Sequence, residues 1–495
     1  MRIKFFCTLL LAAIMACSVM PVQAFTERGF LQESYVYNRF GATIFYPTIA
    51  PMPYRFSHSV GNDAMGVDSF LHLTEIQYHN ERFFITNGTQ LIVTDNDLRA
   101  TDILEGMYVD GEWVAFTPLN GIFITPEGDI YVADTANGIV WHLNENLHLV
   151  RALGRPPGIP LAEDIAYRPL KVAVDFHGRI YVIAEGVNEG IVEMNPDGTF
   201  NRYFGVIEVN PSTMQLFWRQ LQTPAQRIRS RMWVPVNFTN LTVDKTGFVF
   251  ATLSDAENEI GAKKLNARGE NIMRRPDDDF FTHTVGDMEF NHFGIGVPHG
   301  PSIITDIEVT DFGVYYLFDN NRNRVFAYDQ DGYMLFAFGG SGNREGNLQN
   351  VNGMSMASGN RLVFADRGNR SIEVFERTEY GNMLLAASYH QYHHDYNMAA
   401  FYWREVLRLN PFFQYANVGV GIALYRAGEF DLAMQYFQRG QHVTFYSQAF
   451  QQVRSNNMYE YFNTIMIVLL SLIFVYFAYS IIKKRVIAKR KGVEV

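Results

Sequence analysis

Short β-branched and aromatic runs joined by glycine turns recur along this chain at intervals near 50 residues, and this periodicity limits the possible fold more than any other feature. The clearest copies are GIFITPEGDIYVADTANGIVWHL (Gly121 to Leu143), IEVTDFGVYYLFDNNRNRVFAY (Ile307 to Tyr328) and MSMASGNRLVFADRGNRSIEVF (Met354 to Phe375). Each reads strand, glycine turn, strand, Asp-led turn, strand. Weaker copies run from Val172 to Met194, Leu241 to Leu253 and Ile76 to Val93. The first-turn glycines are Gly128, Gly178, Gly247, Gly313 and Gly359, with steps of 50, 69, 66 and 46, and Glu81 takes the same place 47 residues before Gly128. Hairpin turns at Asp197-Gly198, Arg268-Gly269 and Asp331-Gly332 follow the third strand and add a fourth. Six four-stranded units hide their faces and leave only short edges when stacked radially. The expected fold is mainly β, a six-bladed β-propeller over 25–385, with residues Ser34 to Tyr46 supplying a strand that closes the ring against the last blade.

The segments Asp134-x-x-Asn137, Asp319-x-x-x-x-Arg324-Val325 and Asp366-x-x-Asn369-Arg370 resemble the NHL repeat, whose Asp-x-x-Asn-x-Arg-Ile signature marks the turn between second and third strands. The resemblance covers about 70–380 and is degenerate in the other blades: Asn87 stands in for the Asp in blade 1, Glu185 lies near it in blade 3, and blade 4 has only Thr252 to Asp255. An Asp in such a turn accepts backbone N–H bonds, so these aspartates are read as structural. The two long steps imply insertions. One, Pro211 to Trp233, holds a Ser212-x-x-Gln215 capping box before Leu216, Phe217 and Trp218, with Arg219, Arg227, Arg229 and Arg231 following. The other, Arg274 to Pro301, carries Asp277 to Asp279, His283, His292 and His299. Long loops on a compact scaffold tend to carry function, and the insertion aromatics Phe217, Trp218 and Trp233 suit a carbohydrate or peptide ligand.

After Tyr380 the apolar period changes from two to 3.6. Asp395-Tyr396-Asn397-Met398-Ala399 and Glu429-Phe430-Asp431-Leu432-Ala433 are offset by 34 residues, Gly421, Gly428, Ala433 and Phe437 fall at small and aromatic packing positions, and Leu409-Asn410-Pro411 closes a unit. This resembles one tetratricopeptide unit with flanking helices over about 389–455. Such a short array implies a rigid spacer over 386–457 between propeller and membrane, with a peptide-binding groove, which generally needs more repeats, as the alternative.

Both ends of the chain speak to location. Arg2 and Lys4 precede the apolar run Phe5 to Ala16, and Val22 and Ala24 precede Phe25, the plan of a secretory signal peptide over 1–24. A lipoprotein signal ending at Cys17 is the alternative. FNTIMIVLLSLIFVYFAYSII, Phe462 to Ile482, is uncharged and long enough to cross a hydrocarbon core of about 30 Å. A transmembrane helix is therefore expected over 458–482. Tyr459 and Tyr461 flank it on one side, and Lys483, Lys484, Arg485, Lys489, Arg490 and Lys491 crowd the other, a basic tail over 483–495 that the positive-inside rule places in the cytoplasm. The expected arrangement is a single-pass type I protein of the plasma membrane, its propeller extracytoplasmic at a cell surface. Both cysteines, Cys7 and Cys17, lie in the signal segment, which excludes disulfides, Cys-ligated zinc and a cysteine nucleophile from the body. Of the formal charge of −10, the two ends contribute +2 and +5, so residues 25–482 carry −17 and nucleic acid is excluded as a partner.

Catalytic spacings are absent: there is no His-Glu-x-x-His, G-x-S-x-G, P-loop or G-x-G-x-x-G, and Gly339-Gly340-Ser341-Gly342 lacks the lysine that phosphate binding requires. His390, His393 and His394 share a helical face without a third metal ligand in reach, and Asp277 to Asp279 lacks the alternation of a calcium loop. The better candidate comes from geometry. Innermost propeller strands all start at one rim of the channel, and the residues just before them are Glu75, Gly121, Lys171, Asn240, Asp306 and Gly353, with Asn120 and Asn352 one step back. Glu75, Asn120, Lys171, Asn240, Asp306 and Asn352 are the candidate ligand-binding set, and no residue is assigned as catalytic. Six-bladed lactonases of the gluconolactonase type, which this chain resembles in architecture alone, hold a divalent cation at that mouth. The resemblance would give the role to Glu75, Asn240 and Asp306, against which Lys171 competes as a cation. The function expected is binding or scaffolding, without a cofactor, for a polar ligand or partner protein, accessory to a surface or transport complex. A metal-dependent lactonase or lyase is the alternative.

Overall fold

A computed structural model describes residues 33–490 apart from 41–43, 71, 207–236, 254–260, 275–285, 288–301 and 343, together with 492. The signal segment, Phe217, Trp218, Trp233, Asp277 to Asp279, His283, His292, His299 and the end of the basic tail lie outside the described residues. Six antiparallel sheets form the ring, each running outward from its inner strand in chain order through its second and third strands. Their inner strands are Leu73–His79, Leu119–Ile124, Arg168–Val174, Phe238–Val243, Ile304–Val309 and Val351–Ala357. The second strand of each blade is packed on both faces, so Ile130–Asp134, Val249–Leu253 and Tyr315–Asp319 are buried at every residue. Such strands read as continuous apolar runs instead of alternating ones. The turns that join first and second strands need left-handed backbone, and Gly128, Gly178, Gly247, Gly313 and Gly359 sit there with φ between 72° and 96°. In blade 1 Asn80 and Glu81 hold the same corner at φ 47° and 59°.

Ring closure differs from the expectation. The outermost strand of blade 6 is Tyr54–Val60, paired with Ser371–Arg377, whereas Glu33–Phe40 pairs with the outer strand of blade 5, Met334–Gly339, and folds back on Ile44–Ile49. Aromatic packing accounts for the choice. Tyr54 is buried, stacks on Phe338 at 5.3 Å and shares a 3.1 Å hydroxyl bond with Tyr316, while Phe56 meets Phe375 edge-on at 5.7 Å.

Past blade 6 the chain forms α1 (Glu379–Tyr392), α2 (Tyr396–Leu409), α3 (Gln414–Arg426), α4 (Phe430–Arg439) and α5 (Val443–Arg490). Thr378 caps α1 and Asp395 caps α2, each accepting a backbone N–H with its side-chain oxygen. Gly419 and Gly421 let neighbouring helices close up: a Cβ on Gly419 would lie 2.4 Å from Trp403, and one on Gly421 2.6 Å from Phe437. The helices do not form a free spacer. Trp403, Tyr415, Val418 and Phe437 belong to one apolar core with Phe336, Phe338, Phe364 and Phe375 of blades 5 and 6. Polar contacts reinforce the seam. Asn38 donates to the Phe412 carbonyl and accepts from the Gln414 N–H, and the Tyr415 hydroxyl donates to Asp329. Burial pushes the Asp329 carboxyl up to about 7, helped by Asp331 and opposed by the Tyr415 hydroxyl. Beside them Tyr333 stacks on Tyr415 at 4.2 Å and shares a 2.7 Å bond with His442, just ahead of α5. α5 is the one helix among the described residues long and apolar enough to cross a membrane, and its window of highest hydropathy is buried nowhere by protein.

Candidate functional site

Each inner strand is interrupted by a register shift near its start: between Leu73 and Glu75, Leu119 and Gly121, Pro169 and Lys171, Phe238 and Leu241, Ile304 and Asp306, and Val351 and Gly353. Six bulges at one level create an equivalent position in every blade at one end of the channel. Four of the six predicted residues meet there. Lys171 of blade 3 forms an ion pair with Glu75 of blade 1, reaching past blade 2, where Gly121 leaves room. A Cβ on Gly121 would lie 2.7 Å from the Leu170 carbonyl and 3.1 Å from Lys171 Cδ. Gly353 serves the same end from the other side, since a Cβ there would lie 2.7 Å from both Cα and Oε1 of Glu75. Asn240 of blade 4 donates to Oδ1 of Asp306 in blade 5, which also accepts the Ile307 N–H at 2.8 Å. Asp306 Oδ2 is buried with no partner in hydrogen-bonding geometry, although the Met354 N–H favours its charged form.

The sequence reading missed Glu308, two residues beyond Asp306 on the same face of the strand, which accepts the Met356 N–H at 3.3 Å. Counting one pleat inward from each mouth position would have found it. Among the described residues, three carboxyls therefore share the channel with one ammonium. Burial pushes Glu75 up to about 8, with Lys171 pulling down and Asp306 pushing further up. Burial raises Asp306 to about 6 against the pull of Lys171, and Glu308 rises to about 8 through burial and the neighbouring charges of Asp306 and Glu75. Glu75, Asn240 and Asp306 are 3%, 5% and 2% exposed, so the ring is a plug of mutually bonded groups and not an open cup.

The other two predicted residues turn elsewhere. Asn120 donates to Thr135 Oγ1 at 2.7 Å, which in turn bonds the Pro169 carbonyl, and Asn352 donates to the Leu73 carbonyl at 3.1 Å. Both stitch one blade to the next. The Asp-led turns are structural in the way expected: Asp134 accepts from Thr117 N, Asn137 Nδ2 and Trp141 Nε1, and Asp366 from the N–H groups of Gln349 and Asn369. In blade 1 Asn87 accepts from the His72 N–H, whereas Glu185 is exposed and pairs with Arg168. His390 is engaged by Asp395 and His394 by the Tyr396 hydroxyl, and no three His, Cys, Asp or Glu among the described residues form a metal-holding group. At the mouth the donor set does not fit a divalent cation, because the Lys171 ammonium already occupies Glu75 and would face the metal directly.

A second feature opens on the same end of the ring. The connection from blade 1 to blade 2 is a hairpin, Gly106–Val109 with Glu112–Ala115, turned at Asp110-Gly111 with φ of 50° and 90°. That Asp-Gly pair is a hairpin signal already present in the sequence.

No family model matches this sequence, and no curated protein matches it. Among solved structures 447 chains match. They include the β-propeller domain of Cps50 (Swd1) from Myceliophteria thermophila, at 9% identity and TM-score 0.38, covering 66% of this chain and 100% of that one. A streptogramin B lyase matches at 10% identity and TM-score 0.39 over 65% and 97% of the two chains. A protein of unknown function from Bacteroides caccae matches at 9% and 0.34 over 62% and 93%.

Proposed function

We propose that this chain is a membrane-anchored, extracytoplasmic binding or scaffold protein: an NHL-type propeller that recognises a polar ligand or partner protein at the channel end where its outer-to-inner strand connections meet. The tetratricopeptide-like helices clamp the ring to a single C-terminal membrane span, with the signal segment removed and the basic tail in the cytoplasm. One observation carries the binding role. Side chains from four blades converge at one end of the channel, and one carboxylate oxygen of that ring, Asp306 Oδ2, has no partner in bonding geometry. Mixed charges at a rim position a polar or zwitterionic ligand through charge-assisted bonds, worth about 1.5–3 kcal/mol each. The mutual pairing of Lys171 with Glu75 means that the ligand has to compete with, or cap, that pair.

The test uses the full chain in nanodiscs, applied to arrays of short peptides and oligosaccharides. Glu75→Gln with Lys171→Met, which removes both charges at nearly constant volume, is expected to lower binding of any captured probe at least tenfold while the protein stays folded. Unchanged capture would move the site away from the mouth. Chelator-sensitive hydrolysis of a lactone would instead favour the lactonase reading. Orientation is tested separately. Protease added to intact cells is expected to remove the propeller and spare a tag placed after Val495, because six basic residues follow the span. Digestion of that tag from outside would reverse the topology.

A further inference from the structure

The hairpin between blades 1 and 2 has one face explained by folding and one that is not. Met107 and Phe116 are buried and Val114 packs beside them, in a core with Leu91, Leu119 and Trp141 of the flanking blades. Among the described residues its two strands pair only with each other. On the opposite face Tyr108 and Trp113 form a cross-strand pair. They are 67% and 52% exposed, with ring centroids 5.0 Å apart and planes 63° to one another. Two large aromatic rings left in water on this hairpin cover none of the core, and residues of this kind mark binding surfaces. The Trp113 ring is also held in place: a Cβ on Gly106 would lie 2.7 Å from Trp113 Cζ2, so the absence of a side chain there lets the indole lie across the partner strand.

The segment that builds this corner carries charge of one sign. Between Arg99 and Arg151 the chain has no Lys or Arg and eight Asp or Glu. Four of these acids, Asp102, Glu105, Asp110 and Glu112, are exposed on the hairpin and the strand leading into it. Negative ring faces beside carboxylates attract a cation, and a single ammonium over an exposed ring gains only about 0.5–1 kcal/mol. A free small ammonium ion would therefore bind too weakly to be held. A chain carrying several cations gains from the rings, the carboxylates and the unpaired strand edges together.

We infer that the Tyr108–Trp113 hairpin is a docking site for an extended, lysine-rich segment of a partner protein. This site is separate from the channel ring and stands whether or not the ring binds a ligand.

The probe is a fluorescently labelled lysine-glycine peptide of about eight residues, titrated onto the full chain in nanodiscs of uncharged lipid and read by anisotropy. Binding is expected at low salt, and Trp113→Ala or Tyr108→Ala is expected to weaken it about tenfold with the melting transition unchanged. Asp110→Asn with Glu112→Gln is expected to weaken it similarly and to flatten its salt dependence. Glu75→Gln with Lys171→Met is expected to leave it intact. Equal binding by the wild type and Trp113→Ala would reduce the attraction to the general negative charge of the body and overturn the proposal. So would a Trp113-dependent response to a neutral oligosaccharide with none to the basic peptide.

Discussion

Lys171→Met is expected to leave stability almost unchanged at pH 5 and to lower it by about 3–5 kcal/mol at pH 9. The sign follows from the carboxyls around the ammonium. Glu75 and Asp306 have folded pKa values raised to about 8 and about 6, so each contributes stability that is complete below its unfolded value and is lost as pH rises through the folded value. At pH 5 both are largely protonated, and a neutral carboxyl does not require Lys171. Above about 6 Asp306 ionises, and above about 8 Glu75 follows, each inside a site that is nearly closed to water. Removing the ammonium then leaves the carboxylates of Glu75, Asp306 and Glu308, the last also ionising at about 8, with Asn240 and a few backbone N–H groups as their remaining donors. Urea titration followed by tryptophan emission at the two pH values measures the difference. Adding Glu75→Gln to Lys171→Met is expected to recover most of the loss at pH 9, since the amide carries no charge to desolvate. A pH-independent loss would mean that Lys171 contributes packing alone. Because the cost falls on the channel, binding at the mouth is tested with Glu75→Gln and Lys171→Met together, which removes both charges without leaving an unpaired one.

The ring was legible because its information is local. A glycine turn needs φ near 80°, and five glycines at steps near 50 or 70 residues reveal six units even where Asn80-Glu81 does the work without a glycine. The mouth was legible for the same reason, as the position before an inner strand is a register statement. It placed Glu75, Lys171, Asn240 and Asp306 together, although it could not tell that Lys171 would reach across blade 2 or that Asn120 and Asn352 would turn to neighbouring blades. What stayed hidden depends on contacts between distant segments. The closing strand is Tyr54–Val60 because Tyr54 fits between Phe338 and Tyr316, which lie about 260 or more residues further along the chain. The docking of the helices on blades 5 and 6 likewise rests on Asn38 with Gln414 and Asp329 with Tyr415, pairs that no periodicity announces.

The helical unit gives the other large expected effect. Ala433→Arg should cost several kcal/mol and remove helical signal in a transition below that of the ring. Ala433 has no exposed surface, and it sits in the first turn of α4 on the face turned to α3, where Phe437 one turn later fills the space left by Gly421. A guanidinium at that point has no carboxylate to meet: the acidic residues of this turn, Glu429 and Asp431, are not buried. The helix then has to leave its seat. Because α1 and α3 are tied to blades 5 and 6 through Tyr380, Leu384 and Tyr415, the loss is expected to be confined at first to α4 and the start of α5, with the blades keeping their cooperative transition. Circular dichroism at 222 nm during heating, compared with tryptophan emission in a Trp403→Phe background that leaves the helices without a tryptophan, separates the two events. Gly421→Leu makes the same demand from the opposite helix, since its side chain would occupy the place of the Phe437 ring. If both variants melt like the wild type in both signals, the close approach of α3 and α4 is not what holds the helices to one another.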